Sequence, residues 1–270
     1  MLLCIPLSAP VPDTLRTHLD AIRHRAHVPF SKTPVAAVLL LTDGTWVPGV
    51  RIESASFSLT LPALLNAYTT LVSAGRTDDL AAAVLSRPFR PEERTYLDAL
   101  PLADGAQTTD RVWTVEARTA DGALPQPTRR LDPTLSAERA TPAQGLATAR
   151  TVAARAHVPA SAFPVGAVLE SEDGSLVPGV NVEHPDWARI LCAERNALGT
   201  AWSYGLTNPA RLFLTCLKDA KGTPCGACRQ LLAELTPEMT LWMDRHMNEA
   251  DTALPTDLLP GSFRGDALLS

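Results

Sequence analysis

RAHVPFSKTPVAAVLLLTDGTWVPGV (residues 25–50) returns as RAHVPASAFPVGAVLESEDGSLVPGV (residues 155–180). The offset is 130 without a gap, and 17 of the 26 positions are identical. A solenoid repeat runs about 20–50 residues, so a spacing of 130 in a 270-residue chain reads instead as two units of ordinary domain size. Carried forward, the same offset lays Cys192-Ala-Glu194-Arg195 over Pro62-Ala-Leu64-Leu65. One unit holds residues that carry chemistry and the other lacks them, so the chain contains its own control.

Patterning gives both units the same order, α-β-β-α-β-α-β. In the second, residues 143–157 are rich in Ala and Arg, follow Pro142 and stop before Pro159, which predicts a helix. Residues 164–169 and 176–182 are β-rich runs around Glu172-Asp173-Gly174, a hairpin signal. Residues 191–204 predict a helix closed by Gly205. Then come a strand (211–216), a helix (225–235) and a strand (240–243). The first unit offers helices at 13–27, 62–74 and 91–100, with strands at 35–41, 45–52, 80–85 and 111–117. The expected fold is α/β: two tandem three-layer units, each a mixed five-stranded sheet flanked by helices. The expected boundaries are 1–120 for the first unit, 121–142 for a Pro/Arg/Thr-rich linker and 143–270 for the second.

Composition narrows the function. Apolar residues make up 46% and charged residues 20%, which is ordinary for a globular protein. The net charge is −5 and there is no Lys/Arg block, which argues against a nucleic-acid partner and for a small molecule. No apolar run approaches the ~20 residues of a membrane span. The start, MLLCIPLSAPVP, lacks a basic region and is broken by prolines, so it does not read as a signal peptide. Five cysteines, three of them in motif spacing, point to metal or catalytic use in a reducing compartment, hence the cytoplasm.

The sharpest signal is Cys192-Ala-Glu194 followed by Pro224-Cys225-Gly-Ala-Cys228. Zinc favours thiolate ligands in a tetrahedron, and three protein ligands leave a position for water, as in catalytic sites. Cys225 and Cys228 are three apart, so at a helix start both sulfurs face one side. Glu194, two residues beyond a ligand, can reach the fourth position without coordinating and pass protons between water and substrate. Three thiolates leave the ion with a net negative charge that weakens acidification of water. Two helix N-termini and a hydrogen bond from Arg195 to a thiolate would drain that charge. Arg195 becomes Leu65 in the unit without cysteines, as this role requires.

With SAFPVGAVL, PGVNVE, CAERNA, PCGACRQLLAEL and LLPGSF in place, the second unit resembles cytidine deaminase, the zinc-dependent nucleoside deaminase family, and the first resembles a degenerate copy of it. The resemblance implies hydrolytic deamination of cytidine or deoxycytidine to uridine or deoxyuridine plus ammonia by a zinc-bound hydroxide, a reaction of pyrimidine salvage. It implies Cys192, Cys225 and Cys228 as ligands of Zn2+, Glu194 as acid/base, and Phe163, Asn181, Glu183, Ala193 and Phe263 as substrate contacts. It also implies a homodimer in which Phe263 reaches a neighbour's site. The chain departs from the family at His184, where an Asn is usual, and at His157 and Ala160, where tyrosines are frequent. Two other readings share the motifs: a deaminase of a related nucleoside such as blasticidin S, and a zinc-stabilised nucleoside-binding protein without turnover.

The internal control sorts the remaining candidates. Phe163 becomes Thr33 and Asn181 becomes Arg51, which favours function at both. Glu183 survives as Glu53, so a structural hydrogen bond competes with substrate binding there. His157 survives as His27, which favours packing or capping over catalysis. His184 becomes Ser54 and stays open, while Cys4 and Cys216 read as ordinary thiols in apolar surroundings.

Overall fold

The computed structural model describes residues 11–100, 105–119, 123–206, 208–247 and 249–269. Cys4, and Asp121 and Gly122 at the expected joint, lie outside the described residues. The first half runs α1 (Asp13–Arg23), β1 (Ala36–Leu41), β2 (Thr45–Val50), α2 (Ala63–Ser73), β3 (Leu80–Leu85), α3 (Pro91–Asp98), β4 (Gly105–Gln107), β5 (Val112–Val115) and β6 (Arg129–Arg130). The second runs α4 (Pro142–Ala153), β7 (Val165–Ser171), β8 (Leu176–Val180), α5 (Ala193–Tyr204), β9 (Pro209–Cys216), α6 (Gly226–Leu235), β10 (Thr240–Asp244), β11 (Ala250–Ala253) and α7 (Pro255–Leu258). Among the described residues no helix is long and apolar enough to cross a membrane.

The hairpins β1-β2 and β7-β8 turn at Asp43-Gly44 and Asp173-Gly174, where each glycine takes a positive φ and each Asp side chain accepts a backbone N–H two residues on. The sheet orders are β4-β5-β3-β1-β2-β6 and β11-β10-β9-β7-β8. The second sheet has the five strands expected, although its edge strand β11 was not legible in the sequence. The first has six, a correction: Arg129–Arg130, in the stretch read as linker, pairs with Thr45 and Trp46 of β2. The halves also differ beyond their third strand. β9 and β10 are parallel and joined through α6, whereas β3 pairs antiparallel with β5, which folds back on β4.

Both faces of each sheet are covered, which explains why β1, AAVLLL, is buried throughout instead of alternating. Gly179 of β8 lies against Ala193 and Ala197 of α5, and Gly166 of β7 lies against Ala149 and Ala153 of α4. Gly166 pairs with Val180, the neighbour of Gly179, so the two glycines point to opposite faces and the helices sandwich the sheet. Gly49 repeats the close approach of Gly179, against Ala63 and Ala67 of α2.

Every residue of α2 is buried, although Asn66, Thr69, Thr70 and Ser73 are polar. The sheet covers one side and α5 covers the other, so Asn66 donates to Val50 O of β2 while the hydroxyls bond within the helix pair. Asn196 donates to Thr69 O at 2.8 Å, and the hydroxyls of Thr70 and Thr200 lie 2.7 Å apart. Arg25 donates to Ser203 O at 2.9 Å and its counterpart Arg155 donates to Ser73 O at 2.8 Å. One hydrophobic core runs through both halves.

Candidate metal centre

Two helix N-termini build the site. Cys192 is the N-cap of α5, and Cys225 is the N-cap of α6 with Cys228 one turn inside it. The PCGAC loop is clamped from outside. Arg229 donates to Pro224 O and Thr223 Oγ1, and Arg245 donates to the carbonyls of Ala220 and Gly222. Neither clamp was singled out in the sequence. Arg229 follows Cys228 directly, and that adjacency was the signal available.

The sulfurs of Cys192 and Cys225 lie 3.6 Å apart, as do those of Cys225 and Cys228, and all three fall within 4.8 Å of one another. A tetrahedral zinc with bonds of about 2.3 Å separates its sulfurs by about 3.8 Å. The donor set therefore fits zinc. Among the described residues this is the one cluster of metal-ligating groups so disposed. Without a cation the thiols cannot all ionise. The sulfur contacts with Cys192 and Cys228 pull the Cys225 thiol far down, and the contact with Cys225 holds Cys192 up.

Glu194 sits in the first turn of α5 and is 3% exposed. Burial pushes its carboxyl up to about 7, with the charge on Cys225 adding and Arg195 opposing. Arg195 follows Glu194 in the same turn. Its Nη2 lies 3.8 Å from Cys192 Sγ and 3.4 Å from Ile190 O. Burial works against its charge, but the sulfurs of Cys228 and Cys192 outweigh burial and hold the guanidinium up.

The other candidates divide. Asn181 has both ends of its amide on backbone, with Oδ1 accepting from Val165 N and Nδ2 donating to Phe163 O, so it shapes the Phe163 segment. Glu183 accepts from the N–H groups of Ala160 and Ser161, as Glu53 does from Phe30 and Ser31. Burial disfavours the charge on Glu183, but bonds from Ser161 and Ala160 hold its carboxyl below the usual range. Ala193 is buried at the first position of α5, where a backbone N–H has no partner within the helix. Phe263 is 52% exposed and is tied by both backbone groups to Gln230 on α6. His157 and His27 occupy matching backbone bridges, to Val182 and Ile52. His184 does not face the sulfurs. Its ring stacks on Tyr96 of α3 at 4.5 Å and bonds Tyr96 O. Ser54, its counterpart, bonds Glu234 of α6 at 2.6 Å. Position 54/184 thus joins each half to the third helix of the other.

Residues 141–243 match a family model described as "Cytidine and deoxycytidylate deaminase zinc-binding region", and residues 11–87 match a second model of the same description. A cytidine deaminase of Halalkalibacterium halodurans is 37% identical over 112 residues, covering 41% of this chain and 85% of that protein. One from Sporosarcina psychrophila is 36% identical over 115 residues, covering 42% and 85%. A crystal structure of cytidine deaminase from Burkholderia pseudomallei is 32% identical, covers 44% of this chain and 96% of that one, and gives a TM-score of 0.42. Fold and cysteine site together define a zinc-site deaminase architecture. The chain belongs to the cytidine deaminase family.

Proposed function

We propose that the second half hydrolyses the exocyclic amine of cytidine or deoxycytidine, releasing ammonia and the uracil nucleoside. The observation that carries this reading is the buried Glu194, two residues beyond Cys192 in a set of three sulfurs at zinc spacing. Cys192, Cys225 and Cys228 would hold the ion, and zinc there supplies the Lewis acid that makes water acidic near neutral pH. Glu194 takes one proton from the attacking water and delivers it to N3 of the pyrimidine as the oxygen adds to C4. It then carries the remaining hydroxyl proton to the exocyclic nitrogen, which leaves as ammonia when the C4–N bond breaks. Arg195 steadies the Cys192 thiolate. Phe163 and the free N–H at Ala193 contact the base, while Glu183 and Asn181 hold the ribose side of the pocket.

The test is metal content and ammonia release on cytidine for the native chain and Glu194→Gln. The expected result is about one zinc per chain in both, since three protein ligands remain, and turnover in the native chain only. Equal turnover would remove Glu194 from the reaction.

The domain boundaries 1–120, 121–142 and 143–270 belong to this proposal, with the first half a non-catalytic mimic of a partner subunit. So do the cytoplasm as location and a homodimer, which the exposed Phe57 and Phe263 support. Size-exclusion with light scattering tests the dimer, and a monomer at micromolar concentration contradicts it.

A further inference from the structure

One side chain of the first half holds the loop that leads into the cysteine site. Backbone pairing with His157 and Leu191 carries the chain through Asn181, Val182 and Glu183. Beyond Glu183 the chain leaves that pairing and crosses residues 184–190, a loop with one short 3-10 turn (Trp187–Arg189), before it returns at Leu191 and caps α5 with Cys192. The loop therefore joins a substrate candidate to a metal ligand. Within it, Asp186 accepts the N–H of Ala188 at 3.0 Å and pairs with Arg189 at 2.9 Å, contacts that shape the loop without anchoring it.

Tyr96 of α3 supplies the anchor at the loop's start. The buried His184 ring stacks on it with centroids 4.5 Å apart and planes 14° apart. The Asp186 N–H donates to Nδ1 of that ring at 3.0 Å, which leaves the proton on Nε2 to donate to Tyr96 O at 3.2 Å. At the loop's end, Ile190 O accepts from Arg195, the same guanidinium that lies against Cys192. Tyr96 and Arg195 line one pocket of about 80 Å3, which Ala188 and Ile190 of the loop also line. The Tyr96 hydroxyl is buried with no partner among the described residues, so ring and carbonyl make the contact and the hydroxyl does not. The first half's own loop is held by other chemistry. Ser54 and the Ala55 N–H bond Glu234, and Leu231 stands on α6 where Tyr96 stands on α3, counted from the caps Cys225 and Arg90. The aromatic clasp falls on the side that bears the cysteines.

We propose that Tyr96 is a positioning residue for the second half's substrate site: by holding His184 it fixes the loop that starts at Glu183 and returns the chain to Cys192. This inference rests on the deaminase reading given above. A slack loop leaves the three cysteines and Glu194 in place but spreads the ribose side of the pocket over many conformations. Substrate binding then suffers more than the chemical step, because the lost order must be restored each time substrate binds.

The experiment compares Tyr96→Leu, Tyr96→Phe and Leu97→Val with the native zinc-loaded chain, in steady-state cytidine turnover and in hydrogen exchange of the 184–190 amides read by mass spectrometry. Leucine is what α6 carries at the matching place, so Tyr96→Leu keeps an apolar core. Leu97, buried beside Tyr96 on α3, controls for lost packing alone. Tyr96→Leu is expected to raise KM about fivefold or more with kcat within about twofold of native, and to speed exchange in the loop about tenfold. Tyr96→Phe should keep native KM and native exchange, because the lost hydroxyl had no partner, and Leu97→Val should keep native KM. Three results overturn the proposal: an unchanged KM in Tyr96→Leu, an equal rise in Leu97→Val, which reduces Tyr96 to packing, or a Tyr96→Phe chain as impaired as Tyr96→Leu. A native chain without turnover sinks the deaminase reading by itself, and native exchange in Tyr96→Leu would then overturn the hold on the loop as well.

Discussion

Thr70 and Thr200, 130 residues apart in sequence, meet hydroxyl to hydroxyl at 2.7 Å. Two equivalent positions can touch in this way only on an axis relating the halves, as in an isologous dimer interface. Thr70 already donates to Asn66 O at 2.7 Å, so Thr200 is the donor of the pair. This order makes the pair unequal. Thr200→Val removes a donor and is expected to cost about 1 kcal/mol, whereas Thr70→Val strands the Thr200 donor and costs about 2 kcal/mol. Urea unfolding of both variants reads the difference, and the reverse ranking would reassign the donor.

Gly199 faces Asn66 across the α2–α5 contact with no room for a Cβ. Gly199→Ala should destabilise the chain by about 1–3 kcal/mol through overpacking. Adding Asn66→Ala should return part of that loss, a coupling that a double-mutant cycle measures.

Glu170 is fully buried on β7 and is held by Arg211 of β9 at 2.6 Å. At the matching pair in the first half, Leu40 of β1 faces Ala82 of β3. Arg211→Met alone should cost about 3 kcal/mol, because it leaves a buried carboxylate with only the Ala140 N–H and the exposed Arg139 at 3.8 Å. The double change Glu170→Leu with Arg211→Ala, the first half's own solution, should recover most of it. Thermal unfolding of the three proteins decides.

Asp244 joins α4 to β10, accepting from both Arg150 nitrogens at 2.6 and 2.7 Å and from Thr215 at 2.7 Å. Burial opposes its charge, yet the bonds from Arg150 and Thr215 hold its carboxyl down at about 2. A carboxyl lower in the folded than in the unfolded chain stabilises above its ordinary value and loses that contribution as pH falls through its folded value. Stability should therefore drop between about pH 4 and pH 2. In Asp244→Asn that segment of the profile should be flatter in acid unfolding followed by circular dichroism.

Arg195→Leu, which installs the residue the first half carries, should weaken zinc binding by about 10–100-fold while leaving the three cysteines in place. Chelator competition measures it. An unchanged affinity would reduce Arg195 to packing.

Local rules made much of this molecule readable. Pro142 at the start of α4, the Asp-Gly hairpins and Gly205 at the end of α5 each act within a few residues. The cysteine spacing gave the site for the same reason. What escaped depends on distant partners. Two arginines form a strand only because β2 offers an edge. His184 lies on Tyr96, and Asn181 turns its amide to backbone, through contacts that no spacing encodes. The fixed offset of 130 also fails beyond α2: Arg90 and Cys225 both cap the third helix of their half, α3 and α6, yet lie 225 − 90 = 135 apart.

The reciprocal grips of Arg25 on Ser203 and Arg155 on Ser73 make each half the other's scaffold. A second half severed from the first would lose both grips and the cover over α5, and it would fold badly even with all three cysteines in place.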